Sequence, residues 1–276
     1  MTSFVGRTSS RTVGRFALKA AAGLSLGYLL LPLVFVTWLA FFAQEIPSFP
    51  PEGYSLKWFK TIPGNDRFVS GFMLSLQVAV LATIIGLAIG VPAAVCLVRM
   101  RFPGRELASS LLLLPLVVPG IVLGIALYVF HVETEISTEL PILGSLGGLV
   151  AGHVLIVIPW TVRLITASLM GMDRSVEEAA QSLGADRVTT FRRITLPAIL
   201  PGVVAASMFG FISSFGNLEM SLFLVGPGRT TLPIAILQYL EWKIDPTIAA
   251  VSVLQIVFIA AAMLVTDRFV KISRVV

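Results

Sequence analysis

Six long runs of apolar residues, separated by short polar stretches, dominate this sequence. They cover roughly Ala20–Ala43, Val69–Val98, Ser109–Phe130, Leu143–Met170, Leu200–Val225 and Thr247–Thr266. Each run meets or approaches the roughly 20 residues that a helix needs to cross the hydrocarbon core of a bilayer. Gly and Pro inside several runs are compatible with helices, because neighbouring helices can satisfy the backbone groups they free. The pattern predicts an all-α membrane protein with six transmembrane helices, forming a single membrane domain over residues 1–276.

Composition supports this prediction and excludes several other classes. Hydrophobic residues make up 56% of the chain and charged residues only 13%, whereas soluble domains carry about 25% charged residues. The basic residues form no stripe interleaved with aromatic residues, which excludes a nucleic-acid partner. His131 and His153 lack carboxylates at metal-ligand spacing, and no phosphate-binding or hydrolase motif is present. We therefore expect no metal, no cofactor and no enzymatic activity in this chain.

The positions of the basic residues predict the orientation. With six spans, both termini share one side, and that side holds fourteen basic residues: Arg7, Arg11, Arg15, Lys19, Arg99, Arg101, Arg105, Arg174, Arg187, Arg192, Arg193, Arg268, Lys271 and Arg274. The opposite side holds five: Lys57, Lys60, Arg67, Arg229 and Lys243. Because loops rich in Lys and Arg stay in the cytoplasm, we expect both termini to be cytoplasmic.

The segment 173–195, between the fourth and fifth runs, is the most informative polar stretch. It reads as two short helices separated by Gly184, a residue free to adopt the left-handed conformation that ends a helix. Ser175 is the expected N-cap of the first helix, with Glu178 completing a capping box. The first helix has a small apolar face, formed by Val176, Ala179, Ala180 and Leu183.

Asp186 is the expected N-cap of the second helix, and Pro197 and Pro201 are expected to interrupt its continuation into the fifth span. The apolar face of the first helix is too small to hold the segment down by burial. We therefore expect an exposed loop ordered by its own caps. Such a loop either docks onto a cytoplasmic partner or is simply a well-capped solvated loop.

A family resemblance bears on this choice. Glu178-Ala179-Ala180, then Gly184, then Ile194-x-Leu196-Pro197 matches the EAA motif of ABC importer permeases at every spaced position. The resemblance implies the type I ABC importer permease fold, with a transmembrane core over residues 69–266. It also implies that residues 173–195 form coupling helices that sit in a cleft of an ATPase subunit. The implied coupling residues are Glu177, Glu178, Ala179, Ala180, Gly184, Asp186, Arg187, Ile194, Leu196 and Pro197.

Two further stretches resemble the second permease of spermidine/putrescine-type systems. They are Phe49-x-x-Glu-Gly53-x-Ser-Leu-x-Trp58-Phe59 and Pro227-Gly-x-Thr-Thr-Leu-Pro233. The implied solute is polyamine-like, or another small solute of that branch such as a phosphonate or iron(III). One stretch departs from the family pattern, because Gly216-Asn217 follows Ser214-Phe215 where polyamine-type permeases usually carry an acidic pair.

The resemblance also implies the partners and the location. They are a second permease, favoured to be a sibling, two ATPase subunits that bind ATP and Mg, an external solute-binding protein, and the lipid of a bacterial inner membrane. The alternative is an ion-coupled secondary transporter that acts without an ATPase. Such transporters tend to contain internal repeats, and we find no convincing repeat between residues 20–130 and 143–266.

One carboxylate, Glu219, falls well inside an apolar run. An ionisable residue within a span is costly and is a functional candidate by default. Ser213, Ser214 and Asn217 lie close to it in the sequence. We expect these four residues to face the translocation path, the alternative being a hydrogen bond between helices or a position near the outer interface.

The charge distribution generates a test of topology. Reporter domains fused after Lys60, Glu139 and Lys243 should report the outside, and fusions after Arg105 and Val276 the inside. The physical reason is the split of fourteen basic residues against five. Alkaline phosphatase and green fluorescent protein activities of the fusions measure the side. A cytoplasmic signal from the Lys243 fusion would break the six-span arrangement.

Overall fold

A computed structural model describes residues 6–269, with side chains described from residue 15 onward except those of residues 16, 267 and 269. The described chain forms the helices α1 Gly6–Leu39, α2 Lys57–Thr61, α3 Asp66–Arg99, α4 Arg105–Leu113, α5 Gly120–Thr138, α6 Leu146–Met170, α7 Arg174–Ser182, α8 Arg187–Thr190, α9 Leu196–Phe215, α10 Ser221–Leu224, α11 Leu232–Trp242 and α12 Thr247–Phe269. The extreme termini, with Lys271 and Arg274, lie outside the described residues, so the orientation stays a prediction.

The prediction of six spans is confirmed for residues 6–269. The helices long and apolar enough to cross a membrane are Ala17–Leu39, Asp66–Arg99, Gly120–Thr138, Leu146–Met170, Arg187–Phe215 and Thr247–Thr266. Their backbone hydrogen bonds close within each helix, which is the condition for crossing hydrocarbon.

The third span differs in position from its prediction, since the sequence predicts Ser109–Phe130 and the helix is Gly120–Thr138. The apolar run conceals a break. α4 ends at Leu113, a 3₁₀ turn follows at Leu114–Leu116, and Pro119 is extended with a ψ of 135°. A proline at this point supplies no N–H and starts a new helix rather than continuing the old one. As a result Glu133 and Glu135, which follow the end of the predicted span, lie in the last turns of α5.

The chain divides into two units. The first comprises residues up to Gly64 together with Lys243–Ile256. Its core contains Ala40, Trp58, Ala249 and Ala250, all buried. The indole Nε1 of Trp58 donates to the carbonyl oxygen of Phe42 at 2.7 Å, so the segment that follows α1 is fixed to the end of that helix.

The second unit comprises Asn65–Trp242 and the chain from Val257 onward. Its core is built where α3, α6 and α9 pack on one another. Glycines on α3 allow the close approach to α6: a Cβ at Gly86 would lie 2.5 Å from Val157 Cγ1, and a Cβ at Gly90 would lie 2.7 Å from Thr161 Cβ. Small residues at helix interfaces are the usual way for membrane helices to gain packing contacts, since lipid gives no hydrophobic drive for association.

The sequence of Thr231–Trp242 is amphipathic, which is compatible with a place at the membrane interface or with folding back into the protein. The run forms α11 and packs onto α3. Leu232, Ile234 and Ala235 are buried, and the backbone N–H of Leu232 donates to Ser75 Oγ at 2.9 Å. The run therefore folds back onto the protein.

Candidate functional sites on the 173–195 loop and at the break in the fifth span

The first helix of the 173–195 loop is capped by Asp173, not by Ser175. Asp173 Oδ1 accepts from the N–H of Ser175 at 2.9 Å, and α7 runs from Arg174 to Ser182. The predicted capping box is therefore wrong, because a second capping residue lies two positions earlier and takes the role. The predicted stop is confirmed: Gly184 has a φ of +92°, and the N–H of Ala185 reaches the carbonyl oxygen of Ala180 at 3.1 Å.

The second helix begins as predicted. Asp186 Oδ1 accepts from the N–H of Thr189 at 3.0 Å. Its expected interruption before the fifth span is wrong, because α8 passes through a π turn, Phe191–Thr195, directly into α9. Pro197 lies in the first turn of α9, and the N–H of Leu196 bonds the carbonyl oxygen of Phe191 with the wider π spacing.

Both caps act as carboxylates. The backbone N–H of Ser175, and secondarily its hydroxyl, lowers the pKa of Asp173, and the hydroxyl and N–H of Thr189 lower the pKa of Asp186. Hydrogen bonds donated to the charged form favour that form. Since the folded pKa is depressed in each case, the stabilisation is fully present above the ordinary carboxyl pKa of 3.8 and is lost as the pH falls through the folded value. At neutral pH both aspartates therefore stabilise the helix starts that they cap.

Most of the predicted coupling residues lie on the surface. Leu183 is 91% exposed and Val176 is 49% exposed, so the described chain leaves much of the apolar face of α7 uncovered. The exposed members of the predicted set are Glu178, Ala179, Gly184, Asp186, Arg187 and Pro197, and the half-buried ones are Ala180, Ile194 and Leu196.

Glu177 differs from the rest of the set because its side chain turns into the protein. Its Oε2 lies 2.8 Å from Nε of Arg99, at the end of α3, and its Oε1 accepts from the hydroxyl of Thr195 at 2.6 Å. The sequence places Glu177 in the surface that contacts an ATPase, and burial removes its carboxylate from that surface. Arg99 and Thr195 were missed, because no local signal links residues so distant in the chain.

The fifth span ends earlier than its apolar run. α9 stops at Phe215, residues 216–220 are irregular, and the chain resumes as α10 at Ser221. Glu219 was expected well inside a span and instead lies in this break, exposed at the surface of the chain. The apolar character of the neighbouring residues conceals this break in the sequence.

A buried histidine holds the two sides of the break. His153 Nδ1 on α6 lies 2.7 Å from Ser214 Oγ, and Nε2 lies 3.0 Å from Ser221 Oγ. Ser221 Oγ donates its one proton to the carbonyl oxygen of Asn217 at 2.7 Å. Nε2 of His153 therefore carries a proton and donates to Ser221, while Nδ1 accepts from Ser214. Ser214 is thus engaged inside the helix bundle, and Asn217 Oδ1 accepts from the N–H of Met220 at 3.0 Å.

Glu219 approaches the start of α5. A Cβ at Gly120, the first residue of α5, would overlap Oε2 of Glu219. Pro119, the residue before the helix, makes no side-chain cap. The partial positive charge of a helix N-terminus favours a nearby carboxylate. The geometry thus places a carboxylate at the break, beside the start of α5.

Comparison with known proteins adds an independent finding. The family described as binding-protein-dependent transport system inner membrane component matches residues 82–274. The chain is 32% identical over 203 residues to the putrescine transport system permease protein PotI of Escherichia coli K12, covering 73% of this chain and 72% of that one. It is 28% identical over 244 residues to the spermidine/putrescine transport system permease protein PotC of Haemophilus influenzae, covering 88% and 92%. Its fold is similar to a chain of a bacterial alginate ABC transporter in complex with an alginate pentasaccharide-bound periplasmic protein, with a TM-score of 0.72, 16% identity and 96% of each chain covered.

The role of Asp186 as a cap can be measured directly. Asp186→Ala should speed amide hydrogen exchange several-fold over residues 187–195, because the first N–H groups of α8 lose their acceptor. Asp186→Asn keeps an accepting oxygen and serves as the matched control. Exchange that is equally fast in the two variants would show that the side-chain oxygen does not hold the helix start.

Proposed function

The chain belongs to the family of binding-protein-dependent transport system inner membrane components, and on this premise we propose that it forms half of a translocation path powered by a separate ATPase subunit. It is a multi-pass permease subunit of an ABC importer and not an enzyme, which confirms the prediction from the EAA motif. The alternative of an ion-coupled secondary transporter gains no support from these relatives.

The 173–195 loop is the proposed docking element for the ATPase. The observation that carries this proposal is a capped, ordered α7 whose apolar face the described chain leaves largely uncovered, Leu183 being 91% exposed. Order without burial is costly for an isolated loop, because the chain loses conformational entropy and gains little apolar contact. A cleft in a partner would bury the apolar face, and the free energy of that burial would offset the loss of conformational entropy. ATP and Mg belong to the partner ATPase, since this sequence has no phosphate-binding loop.

The remaining partners follow from the family. The proposed assembly has two permeases, two ATPases and an external solute-binding protein, in a bacterial inner membrane. A sibling rather than a second copy is the proposed second permease, because the chain resembles the second permease of systems that use two different ones.

The docking proposal predicts a sharp loss of affinity when the apolar face is charged. Leu183→Asp should weaken ATPase binding by about 30-fold, which corresponds to roughly the 2 kcal/mol of a buried interface anchor. Leu183→Met keeps the apolar volume and is the control. Co-purification of the ATPase subunit with the tagged permease complex, followed by a titration of binding, measures the effect. An Asp variant that binds like the Met variant would remove the loop from the interface.

The proposed solute is a cationic, polyamine-like molecule. Glu219 is the exposed carboxylate at the break of the fifth span, and it lies beside the start of α5. A carboxylate so placed attracts a cation and repels an anion unless it is protonated or paired. With Ser213 and Asn217 nearby, this stretch is the proposed wall of the translocation path. Ser214 contributes through the buried bond to His153.

Charge removal at Glu219 tests the solute class. Glu219→Gln should raise the concentration of putrescine that gives half-maximal uptake by about tenfold, because a hydrogen bond to a charged group contributes roughly 1.5 kcal/mol or more. Glu139→Gln, an exposed carboxylate just after α5, controls for loss of negative charge. Uptake of labelled putrescine by the reconstituted transporter with its binding protein is the measurement. Unchanged kinetics in both Glu219→Gln and Glu219→Ala would show that the residue is neither a contact nor a gate.

A further inference from the structure

The buried contact between α7 and the membrane domain is a single polar cluster. Arg99, Glu177 and Thr195 form it, and we call these three residues the inner latch. Arg99 and Glu177 expose only 17% and 10% of their side chains, with Nε and Oε2 2.8 Å apart. The Thr195 hydroxyl donates to Oε1 at 2.6 Å, and Arg99 Nη2 reaches the carbonyl oxygen of Leu169 at 3.4 Å. Each oxygen of the carboxylate thus has its own partner.

The latch connects every element that meets the loop. Arg99 is the last residue of α3, Leu169 lies in the last turn of α6, Glu177 lies on α7, and Thr195 ends the π turn that leads into α9. The same three long helices build the core of this unit. Glu177 therefore contacts the end of α3 and the π turn before α9 directly, and it reaches α6 through Arg99.

A second ion pair on α7 has a different character. Arg174 and Glu178 are 3.1 Å apart, but their side chains are 59% and 65% exposed. Exposed pairs of this kind contribute little, because water screens them and both side chains remain mobile. Breaking a buried pair is costly, since removing one partner leaves an uncompensated charge in a poor solvent. Of the two neighbouring glutamates, Glu177 is the one that contacts the spans.

We propose that Arg99 and Thr195 are positioning residues that act through Glu177, so that the inner latch transmits the movement of α7 to α3, α6 and α9 when the partner ATPase binds and hydrolyses ATP. This inference rests on the proposed docking of the ATPase on the 173–195 loop. It assigns the two faces of α7 separate tasks. The exposed face holds the ATPase, and the buried glutamate passes its displacement to the membrane helices.

The test distinguishes a loss of transmission through the inner latch from a loss of permease folding and from a loss of ATPase docking. The variant Arg99→Gln/Glu177→Gln removes both charges together, so that no unpaired charge is left buried. Arg101→Gln removes an exposed charge two residues away and is the control. The full transporter is reconstituted in proteoliposomes with its ATPase and binding protein. ATPase retention, ATP hydrolysis and import of labelled putrescine are measured on the same preparation.

The double variant should retain the ATPase at the ratio of the control and continue to hydrolyse ATP. Putrescine imported per ATP hydrolysed should fall about tenfold, which is within the range that coupling between sites covers. Thr195→Val keeps both charges and removes only the bond to the π turn. It should lower the same ratio, and it carries the test if the double variant fails to insert.

A purely structural role for the pair predicts a different result. In the double variant no charge is left unpaired, so putrescine imported per ATP hydrolysed would stay within about twofold of the control, which is at the lower limit of measured coupling effects. That result would overturn the proposed role of the inner latch. Failure of the proposed function is distinguishable, because the unmodified permease would then not retain an ATPase at all, or Leu183→Asp would retain it fully.

Discussion

Inside a bilayer, every backbone N–H and carbonyl group needs a partner within the protein, because hydrocarbon offers none. The long helices of this chain meet most of the requirement by themselves, although the prolines inside them, such as Pro92 and Pro159, free some carbonyl groups. The break after Phe215 does not, and it is satisfied by side chains. Asn217 accepts from the N–H of Met220, Ser221 donates to the carbonyl oxygen of Asn217, and His153 on α6 bonds both Ser221 and Ser214. The break is tolerated because His153, on the neighbouring helix α6, bonds residues on both sides of it.

The need to give backbone groups hydrogen-bond partners also determines where polar side chains lie in the irregular segments. The break frees Glu219 from the helix and sets it against Gly120, where a side chain on the glycine would leave no room for the carboxylate. At the 173–195 loop, the same need for partners is met by Asp173 and Asp186 at the two helix starts and by Gly184 between them. These two irregular places in the described chain are thus specified by a few polar and glycine residues, and they are the places that carry the proposed solute and ATPase contacts.

Sequence reasoning succeeded where the signal was local and failed where it was not. Six apolar runs suffice to predict six spans, and Gly184 and Asp186 are recognisable from their immediate neighbours. The third span was misplaced because hydropathy continues unchanged through Pro119, where the helix actually begins. Ser175 and Asp173 are both good caps by residue type, and only the backbone decides between them. The partner of Glu177 could not be predicted, since Arg99 reaches it only after α3 and α6 have packed together.

The two adjacent glutamates of α7 illustrate how one short helix can contact the membrane helices on one face and leave another face free for a partner protein. Successive residues of a helix point about 100° apart, as 3.6 residues complete a turn, so Glu177 and Glu178 cannot occupy the same face. Glu178 and Leu183 remain at the surface, whereas Glu177 is buried against Arg99 and Thr195. An apolar anchor at position 177 would also bury area, but it could slide, because apolar contact has no preferred direction. A carboxylate that accepts a hydrogen bond on one oxygen and lies 2.8 Å from a guanidinium nitrogen on the other cannot slide without losing these contacts. For a helix that transmits a displacement to its neighbours, a buried carboxylate at position 177 is therefore more suitable than an apolar residue.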